Sequence, residues 1–116
     1  MTTQPKPRLN GNSPWGQIDY LEVRAPGIIS VSTPGHGGIW VSPELEATLP
    51  ASVRAIAREY APAQWYEEDC DCIIPLALLP GIPADKAQWA REYARNWNSH
   101  AGRMAPLVAE LDRRGL

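Results

Sequence analysis

The chain has 116 residues, of which 44% are hydrophobic, and carries a formal net charge of −2 at pH 7. This length supports a single domain with one core, and the composition argues against wholesale disorder. The lack of a basic excess disfavours direct binding to nucleic acid, and no apolar run approaches the ~20 residues of a transmembrane helix.

The N-terminal part of the sequence predicts a flexible tail followed by three strands. Residues 1–14 contain three prolines and few apolar side chains, which is typical of a tail without fixed structure. Residues 15–24 alternate in part between apolar and polar side chains and predict a strand with a bulge. A turn at 25–27 leads to a β-branched strand at 28–32, and residues 38–42 supply a third strand. Three short strands in a row predict an antiparallel meander.

Two predicted helices follow the strands. Ser42 is a suitable N-cap with Pro43 at the first helical position, and Pro50 ends this short helix. A second helix is predicted over 51–60, because apolar residues recur there with helical spacing. Its apolar stripe consists of Val53, Ile56, Ala57 and Tyr60.

The next apolar segment is ambiguous, and a long helix follows it. Residues 72–80 fit a buried strand or a short buried helix, and we favour a strand after Pro75. A long helix is predicted over 83–97. Trp89, Tyr93 and Trp97 repeat every four residues in this helix, so we expect them to face the core.

A last helix is predicted over 103–113, with Gly115 as its stop, and His100 is interpreted as a turn residue. Together these elements predict one α+β domain at 15–116. We expect a small antiparallel sheet of three to four strands packed against three to four helices.

The glycine-rich segment STPGHGG, residues 32–38, connects the second and third predicted strands. A phosphate-binding loop leads into a helix N-terminus and carries Lys or Ser/Thr at a defined spacing, whereas this loop leads into a strand. Its glycines are therefore expected to supply positive φ angles for a tight connection. His36 lies at its centre and is either a turn histidine or a general base or ligand, whose partners the sequence does not place.

The segment WYEEDCDC, residues 65–72, concentrates four acidic residues. Like charges at this density are either solvated or matched by cations. If the segment is extended, Glu67, Asp69 and Asp71 point to one face. This acidic edge and its aromatic neighbours predict a surface that docks on a basic partner; the alternative is a solvated acidic loop. The residues assigned to the partner-binding surface are Trp65, Tyr66, Glu67, Glu68, Asp69 and Asp71.

The two cysteines, Cys70 and Cys72, are too few for a disulfide framework, and one C-x-C pair is weak support for zinc. A metal centre built from both thiols, His36 and one acid is an alternative, but we predict no metal and no cofactor. Residues 1–16 lack the apolar segment of a signal peptide. We therefore expect a cytoplasmic protein with free thiols and no membrane association.

Two motifs together resemble those of a known family. TPGHGGIWVS, residues 33–42, is similar to the pattern T-P-x-H-G-G-[IV]-W-[LV]-S, and WYEEDCD, residues 65–71, to W-[YF]-E-E-D-C-D. The family is a small uncharacterised domain of phage, plasmid and other mobile-element proteins in proteobacteria, and the resemblance covers residues 13–80. Because this family has no assigned activity, the resemblance implies no functional residues. Cys72 departs from the pattern, which often has an aromatic residue at that position.

A stand-alone domain of this size from a mobile element resembles anti-CRISPR and other anti-defence inhibitors in profile. The resemblance implies a non-enzymatic protein that binds a bacterial CRISPR effector of the Cascade type, or another defence protein, in the cytoplasm of the host cell. We expect it to be a monomer or a weak dimer. One alternative is a small enzyme that uses His36 with a carboxylate such as Glu68 or Asp69. Another is an accessory or regulatory interaction module of a plasmid system.

Overall fold

The computed structural model describes residues 5–97 and 102–116, and the backbone alone at Trp97. The strands in these ranges are β1 (Asn12–Ser13), β2 (Gly16–Gln17), β3 (Tyr20–Ala25), β4 (Ile28–Ser32), β5 (Gly37–Val41) and β6 (Trp65–Glu67). The helices are α1 (Pro43–Glu46), α2 (Ala51–Ala57), α3 (Ile73–Leu78), α4 (Ala84–Trp97) and α5 (Ala105–Arg114). The predicted α+β class is confirmed. The predictions for residues 1–4 and for His100 lie outside the described residues.

The main sheet has four antiparallel strands in the order β3-β4-β5-β6. The predicted meander is confirmed, because β3, β4 and β5 are consecutive neighbours in the sheet. The register shifts between Val23 and Ala25, where the sequence predicts a bulge. The short strand β6 then pairs with β5 and sets Glu67 opposite Gly38 and Trp65 opposite Trp40. This pairing brings the acidic segment beside the end of the glycine-rich loop.

Residues 12–17 form a small hairpin around Trp15. Strand β1 pairs with β2 in a separate two-stranded sheet, and the Asn10 amide donates to the Ile18 carbonyl at 2.8 Å. Backbone pairing thus begins upstream of Trp15, and the strand predicted over 15–24 is divided between β2 and β3. The flexibility of the tail and the domain boundary at residue 15 stay predictions.

Helix α1 begins as the sequence predicts, and α2 ends earlier than predicted. The Ser42 hydroxyl accepts the Leu45 amide at 3.3 Å, and Pro43 opens the helix. Helix α2 buries Val53, Ile56 and Ala57 but stops at Ala57, so Tyr60 lies beyond it with 54% of its surface exposed. Tyr60 is therefore not part of the buried stripe, and its ring is free to line a surface site.

The strand predicted after Pro75 is wrong, because residues 73–78 form helix α3. Pro75 is the third residue of this helix, where backbone N–H groups have no intrahelical acceptor, so its missing N–H costs little. Every residue of α3 is buried. A helix buried on all sides has no amphipathic period, which is why periodicity did not separate it from a buried strand.

The placement of α4 and α5 is close to the prediction, but the buried face of α4 is not. Ala87, Ala90 and Ala94 face the core, whereas Trp89 is 48% exposed and Tyr93 is half-buried. The expectation that the aromatic stripe forms the core face is therefore wrong at Trp89; the side chain of Trp97 lies outside the described residues. Gly115 adopts φ 72° and caps α5, as predicted.

The sheet is covered on both faces. One face packs against the helices in a core that includes Ile28, Ile39, Val41 and Tyr66. The other face carries a smaller cluster built around Ile29, Trp40 and Trp65, with Trp15 packed against it. Because side chains alternate along a strand, Glu67 shares the face of Trp65, two residues before it. The tryptophan-rich face therefore leads directly to the acidic segment.

Candidate functional site

The acidic segment is mostly a turn, and its two aromatic residues are buried. Trp65 and Tyr66 belong to β6 and are 2% and 0% exposed. Trp65 stacks edge-on against Trp15 with ring centroids 5.5 Å apart. Neither side chain is available as a surface anchor, which corrects the role assigned to them from the sequence. Burial of their rings in the core removes more apolar surface from water, and so stabilises the fold more, than a position at the protein surface would.

Asp71 is also buried, and it is neutralised within the protein. Its carboxylate is 0% exposed and accepts two bonds from the Arg103 guanidinium, Nη1 to Oδ1 at 2.5 Å and Nη2 to Oδ2 at 3.1 Å. Arg103 also donates to the Ile56 carbonyl at 3.1 Å. A buried carboxylate requires such a partner, so Asp71 is structural and does not belong to an exposed acidic edge. The chain after Glu67 is not extended, which is why alternation did not hold.

The remaining three acids form what we call the acidic turn, Glu67, Glu68 and Asp69. Glu68 and Asp69 are exposed and Glu67 is partly buried. The Glu67 carboxylate accepts the Asp69 amide at 3.0 Å. Burial raises the pKa of Glu67, and the negative charge of Asp69 acts in the same direction. These three of the six assigned residues are placed where a partner or an ion can reach them.

The loop that carries His36 is held by Thr33. The Thr33 hydroxyl donates to the His36 carbonyl at 2.6 Å and accepts the His36 amide at 3.1 Å. The Thr33 amide donates to the same carbonyl at 2.8 Å. Both backbone polar groups of His36 are thereby fixed while its side chain stays exposed. These hydrogen bonds between the Thr33 side chain and the backbone fix the part of the loop that carries the imidazole.

Gly37 and Gly38 are needed for close packing rather than for positive φ. A Cβ on Gly37 would lie 2.5 Å from the Val31 carbonyl oxygen, and one on Gly38 would lie 2.4 Å from that of Tyr66. Neither residue has positive φ, so the conformational role expected from the sequence is wrong. Their lack of side chains lets the loop lie against the acidic turn, where the Glu68 amide donates to the Gly37 carbonyl at 3.0 Å.

The loop and the acidic turn together form a cleft with a histidine and two carboxylates. One ligand atom each from His36, Glu67 and Asp69 lies within 4.8 Å of the others. The cleft has a volume of about 340 Å³, and its other walls are Trp15, Tyr60 and Cys70. The sequence analysis paired His36 with Glu68 or Asp69 as one alternative, but it did not predict that Glu67 and Asp69 converge on His36 together. The sequence feature that points to this site is the Glu-x-Asp pair, Glu67 and Asp69, at the end of β6. This strand pairs with β5, which directly follows His36.

The chain matches a family of known proteins. The model of the family described as "Domain of unknown function (DUF7007)" matches residues 8–107, which is most of the chain. The chain belongs to the DUF7007 family. The predicted membership of an uncharacterised small domain family is thereby confirmed. No curated protein and no solved structure is matched by this chain. None of the described helices of this DUF7007 protein has the length and apolar character needed to cross a membrane.

The cysteines of this DUF7007 protein do not join the cleft as thiolates. Burial raises the pKa of Cys70 to about 12, and the neighbouring Asp71 charge adds to the rise. Burial likewise raises the pKa of Cys72 to about 11, with a further contribution from Glu67. Both thiols are therefore protonated at neutral pH. The group that converges in the cleft contains His36 and carboxylates but neither cysteine, so a centre built from both thiols and His36 is not assembled.

A buried polar group supports β6 from behind the cleft. The Tyr66 hydroxyl donates to the buried Glu46 carboxylate at 2.7 Å. The Arg58 guanidinium lies over the Tyr66 ring at 5.1 Å and donates to the Trp65 carbonyl at 2.9 Å. Burial raises the pKa of Tyr66, and the nearby Glu46 charge acts in the same direction. These contacts fix the strand from which Glu67 projects.

Proposed function

We propose that this protein inhibits a bacterial defence system, as an anti-CRISPR-type protein of mobile elements that binds a nucleic-acid-binding effector complex through its acidic turn. One observation carries the proposal. Glu67, Glu68 and Asp69 form no ion pair with any described Lys or Arg, although such pairs occur elsewhere in the described part of the chain. Three carboxylates on one turn without internal counter-charges suit a basic partner surface.

The proposed mechanism is steric and electrostatic. A groove that binds DNA or RNA presents Lys and Arg side chains that normally meet phosphates. In the proposed complex, the carboxylates of the acidic turn take the place of phosphate oxygens beside these side chains, and the bound domain blocks the groove. Attraction between opposite charges speeds association and makes it sensitive to salt. The target under this proposal is a Cascade-type effector or another defence protein in the cytoplasm of the host cell, with no direct contact between the inhibitor and nucleic acid.

Tyr60 takes over the anchoring role first assigned to Trp65 and Tyr66. It is 54% exposed and lines the same cleft as Glu67 and Asp69. The Arg103 guanidinium lies 4.9 Å from the centre of its ring, which holds the ring in place. A rigid, exposed tyrosine beside charged groups is a common element of protein–protein contact surfaces.

The first experiment reverses the charge of the acidic turn. The triple variant Glu67→Lys, Glu68→Lys, Asp69→Lys is tested for protection of phage against a panel of bacterial defence systems, and for capture of the effector by affinity-tagged inhibitor. We expect loss of both activities, because like charges then face the basic partner surface. Capture by the unaltered protein should weaken at high salt.

A matched control separates surface contact from net charge. The triple variant Asp19→Lys, Glu44→Lys, Asp85→Lys changes the net charge by the same amount at exposed positions outside the cleft. This control should retain inhibition and capture. Unchanged inhibition by the acidic-turn variant, or an equal loss in the control, would contradict the proposal.

The convergence of His36 with Glu67 and Asp69 favours a second candidate, a small enzyme that uses the histidine with a carboxylate. A general base acts within hydrogen-bond reach of its proton, directly or through one water, and the cleft leaves room for both. Replacing His36 with Gln separates the candidates. Retained inhibition supports a docking protein, whereas loss of activity with an intact fold supports the enzyme.

A third proposal is an accessory or regulatory module of a plasmid system, which differs from the inhibitor in its partner. Affinity capture from a host lysate that also contains the plasmid distinguishes the two. Recovery of a defence complex supports the inhibitor, and recovery of a plasmid-encoded protein supports the accessory module.

A further inference from the structure

We propose that His36, Glu67 and Asp69 bind a divalent transition-metal ion, in a site that shares Glu67 and Asp69 with the proposed docking surface but needs no partner protein to bind the ion. The three side chains come from two adjoining segments. His36 ends the loop before β5, Glu67 ends β6, and Asp69 lies in the turn that follows. Strand pairing of Gly38 with Glu67 fixes the two segments side by side.

The donor set and its spacing fit such an ion. One imidazole nitrogen and two carboxylate oxygens lie within 4.8 Å of one another. Protein nitrogen and oxygen ligands lie roughly 2.0–2.2 Å from Zn²⁺, so ligand atoms around one ion are separated by up to about 4 Å. Small side-chain rotations therefore bring all three into contact with one ion. An imidazole combined with carboxylates favours Zn²⁺ or Mn²⁺ over Ca²⁺ or Mg²⁺, which take oxygen ligands.

The charges of the site are unbalanced without an ion. Among the described residues, no Lys or Arg forms an ion pair with Glu67 or Asp69. Asp71, only two residues further along, is by contrast fully matched by Arg103. A divalent cation at the centre of the group would supply the positive charge that the two carboxylates lack.

Hydrogen bonds fix the backbone of His36 and orient the Glu67 carboxylate. Thr33 fixes the backbone of His36 from both sides, and the Asp69 amide donates to the Glu67 carboxylate at 3.0 Å. Such support lowers the cost of ordering the ligands when an ion binds. With three protein ligands and an open cleft of about 340 Å³, the remaining coordination positions are accessible to water. Three ligands with an open position are typical of catalytic rather than structural metal sites.

Metal titration of the purified protein tests this proposal without any partner protein. Chelator-treated protein is titrated with ZnCl₂ and, separately, with MnCl₂ by isothermal titration calorimetry. We expect one ion per chain, with a dissociation constant weakened at least about tenfold in each of His36→Gln, Glu67→Gln and Asp69→Asn. The Co²⁺-loaded protein should show visible d–d absorption without a thiolate-to-cobalt charge-transfer band.

Two control variants make the result specific. His100→Gln removes the only other histidine of the sequence, and Cys72→Ser removes a thiol that could bind zinc by itself. Both should bind Zn²⁺ like the unaltered protein, and circular dichroism should show that every variant is folded. Failure of the folded protein to bind either ion, unchanged affinity in His36→Gln, or dependence on Cys72 would each overturn the proposal. Because none of these measurements involves a defence complex, they also separate this proposal from the inhibitory function.

Discussion

Gly37 and Gly38 determine how closely the histidine loop approaches the acidic turn. Besides the carbonyl oxygen of Tyr66, a Cβ on Gly38 would meet the Trp15 ring at 2.4 Å, and one on Gly37 would also meet the Glu68 carboxylate at 2.9 Å. Gly35, in the same loop, has no atom within 4 Å of such a Cβ. The three glycines look alike in sequence but differ in what surrounds them.

This difference gives a matched pair of substitutions. Gly38→Ala should lower the free energy of unfolding by about 3 kcal/mol, because the new methyl group meets backbone that cannot move aside. Gly35→Ala should change it by less than about 1 kcal/mol, with a small gain from the stiffer unfolded chain. Urea unfolding followed by tryptophan fluorescence measures both. Equal stability of the two variants would show that the close approach at Gly38 does not constrain the fold.

At the scale of single residues, the sequence indicated which residues are important better than it indicated what each of them does. It indicated that glycines shape the loop, but the reason at Gly38 is packing against Tyr66 and against Trp15, a residue more than 20 positions upstream. In the sequence, Asp71 is one of four similar acidic residues. In the structure it is buried and forms an ion pair with Arg103, which is distant from it in sequence. Such roles depend on contacts between distant positions, which local pattern does not contain.

Among the secondary-structure elements, the contact between α3 and α4 explains two wrong predictions together. The sequence favours a strand after Pro75, whereas residues 73–78 form α3, a helix that contacts α4. Close packing between helices favours small residues, and α4, which contacts α3, buries Ala87, Ala90 and Ala94. The repeat of Trp89, Tyr93 and Trp97 every four residues predicts the aromatic side of α4 as the core face, because the spacing of the sequence does not show which side another helix covers.

The faces of α4 are tested by two substitutions at adjacent positions. Ala90→Leu should lower the free energy of unfolding by about 3 kcal/mol, because Ala90 is 0% exposed and the space around it is filled. Trp89→Ala should cost only about 1 kcal/mol, mainly through lost contact with Lys86 and Tyr93. Thermal unfolding followed by circular dichroism compares the two. A larger loss in Trp89→Ala would mean that the aromatic side is buried in solution.

For the whole molecule, the sequence predicted the fold class, the meander and four of the five described helices, and the structure adds how they meet. The α+β class, the meander and the long helix followed from residue types and spacing. The second sheet face, rich in tryptophan, and the cleft beside it did not, because His36 and Glu67 converge only once β6 has paired with β5. Pairing between strands separated by two helices is a long-range property, and no short window of sequence contains it.

The free energy of unfolding at alkaline pH depends on Tyr66, whose side chain is buried in the main core. The folded protein holds the Tyr66 proton more tightly than the unfolded chain does, since burial and Glu46 raise its pKa. The resulting stability is complete below about pH 10, the usual pKa of tyrosine, and is lost as pH rises above it. Tyr66→Phe should therefore flatten the fall in unfolding free energy between about pH 9 and pH 11.5.

Tyr20→Phe is the control for this measurement, because Tyr20 is 56% exposed and should leave the alkaline fall unchanged. At neutral pH, Tyr66→Phe should also cost about 1–3 kcal/mol, since the buried Glu46 carboxylate loses its hydrogen-bond donor. An identical alkaline slope in the unaltered protein and Tyr66→Phe would refute the role of Tyr66.

The ion pair between Asp71 and Arg103 also has a consequence for how the family can vary. A chain that lost Arg103 would bury a lone carboxylate, and a chain that lost Asp71 would leave the guanidinium without its main acceptor. Each change alone is costly, whereas replacement of both by apolar residues of similar volume is tolerable. In evolutionary terms the two positions act as one unit, so natural sequences should keep both residues or exchange both.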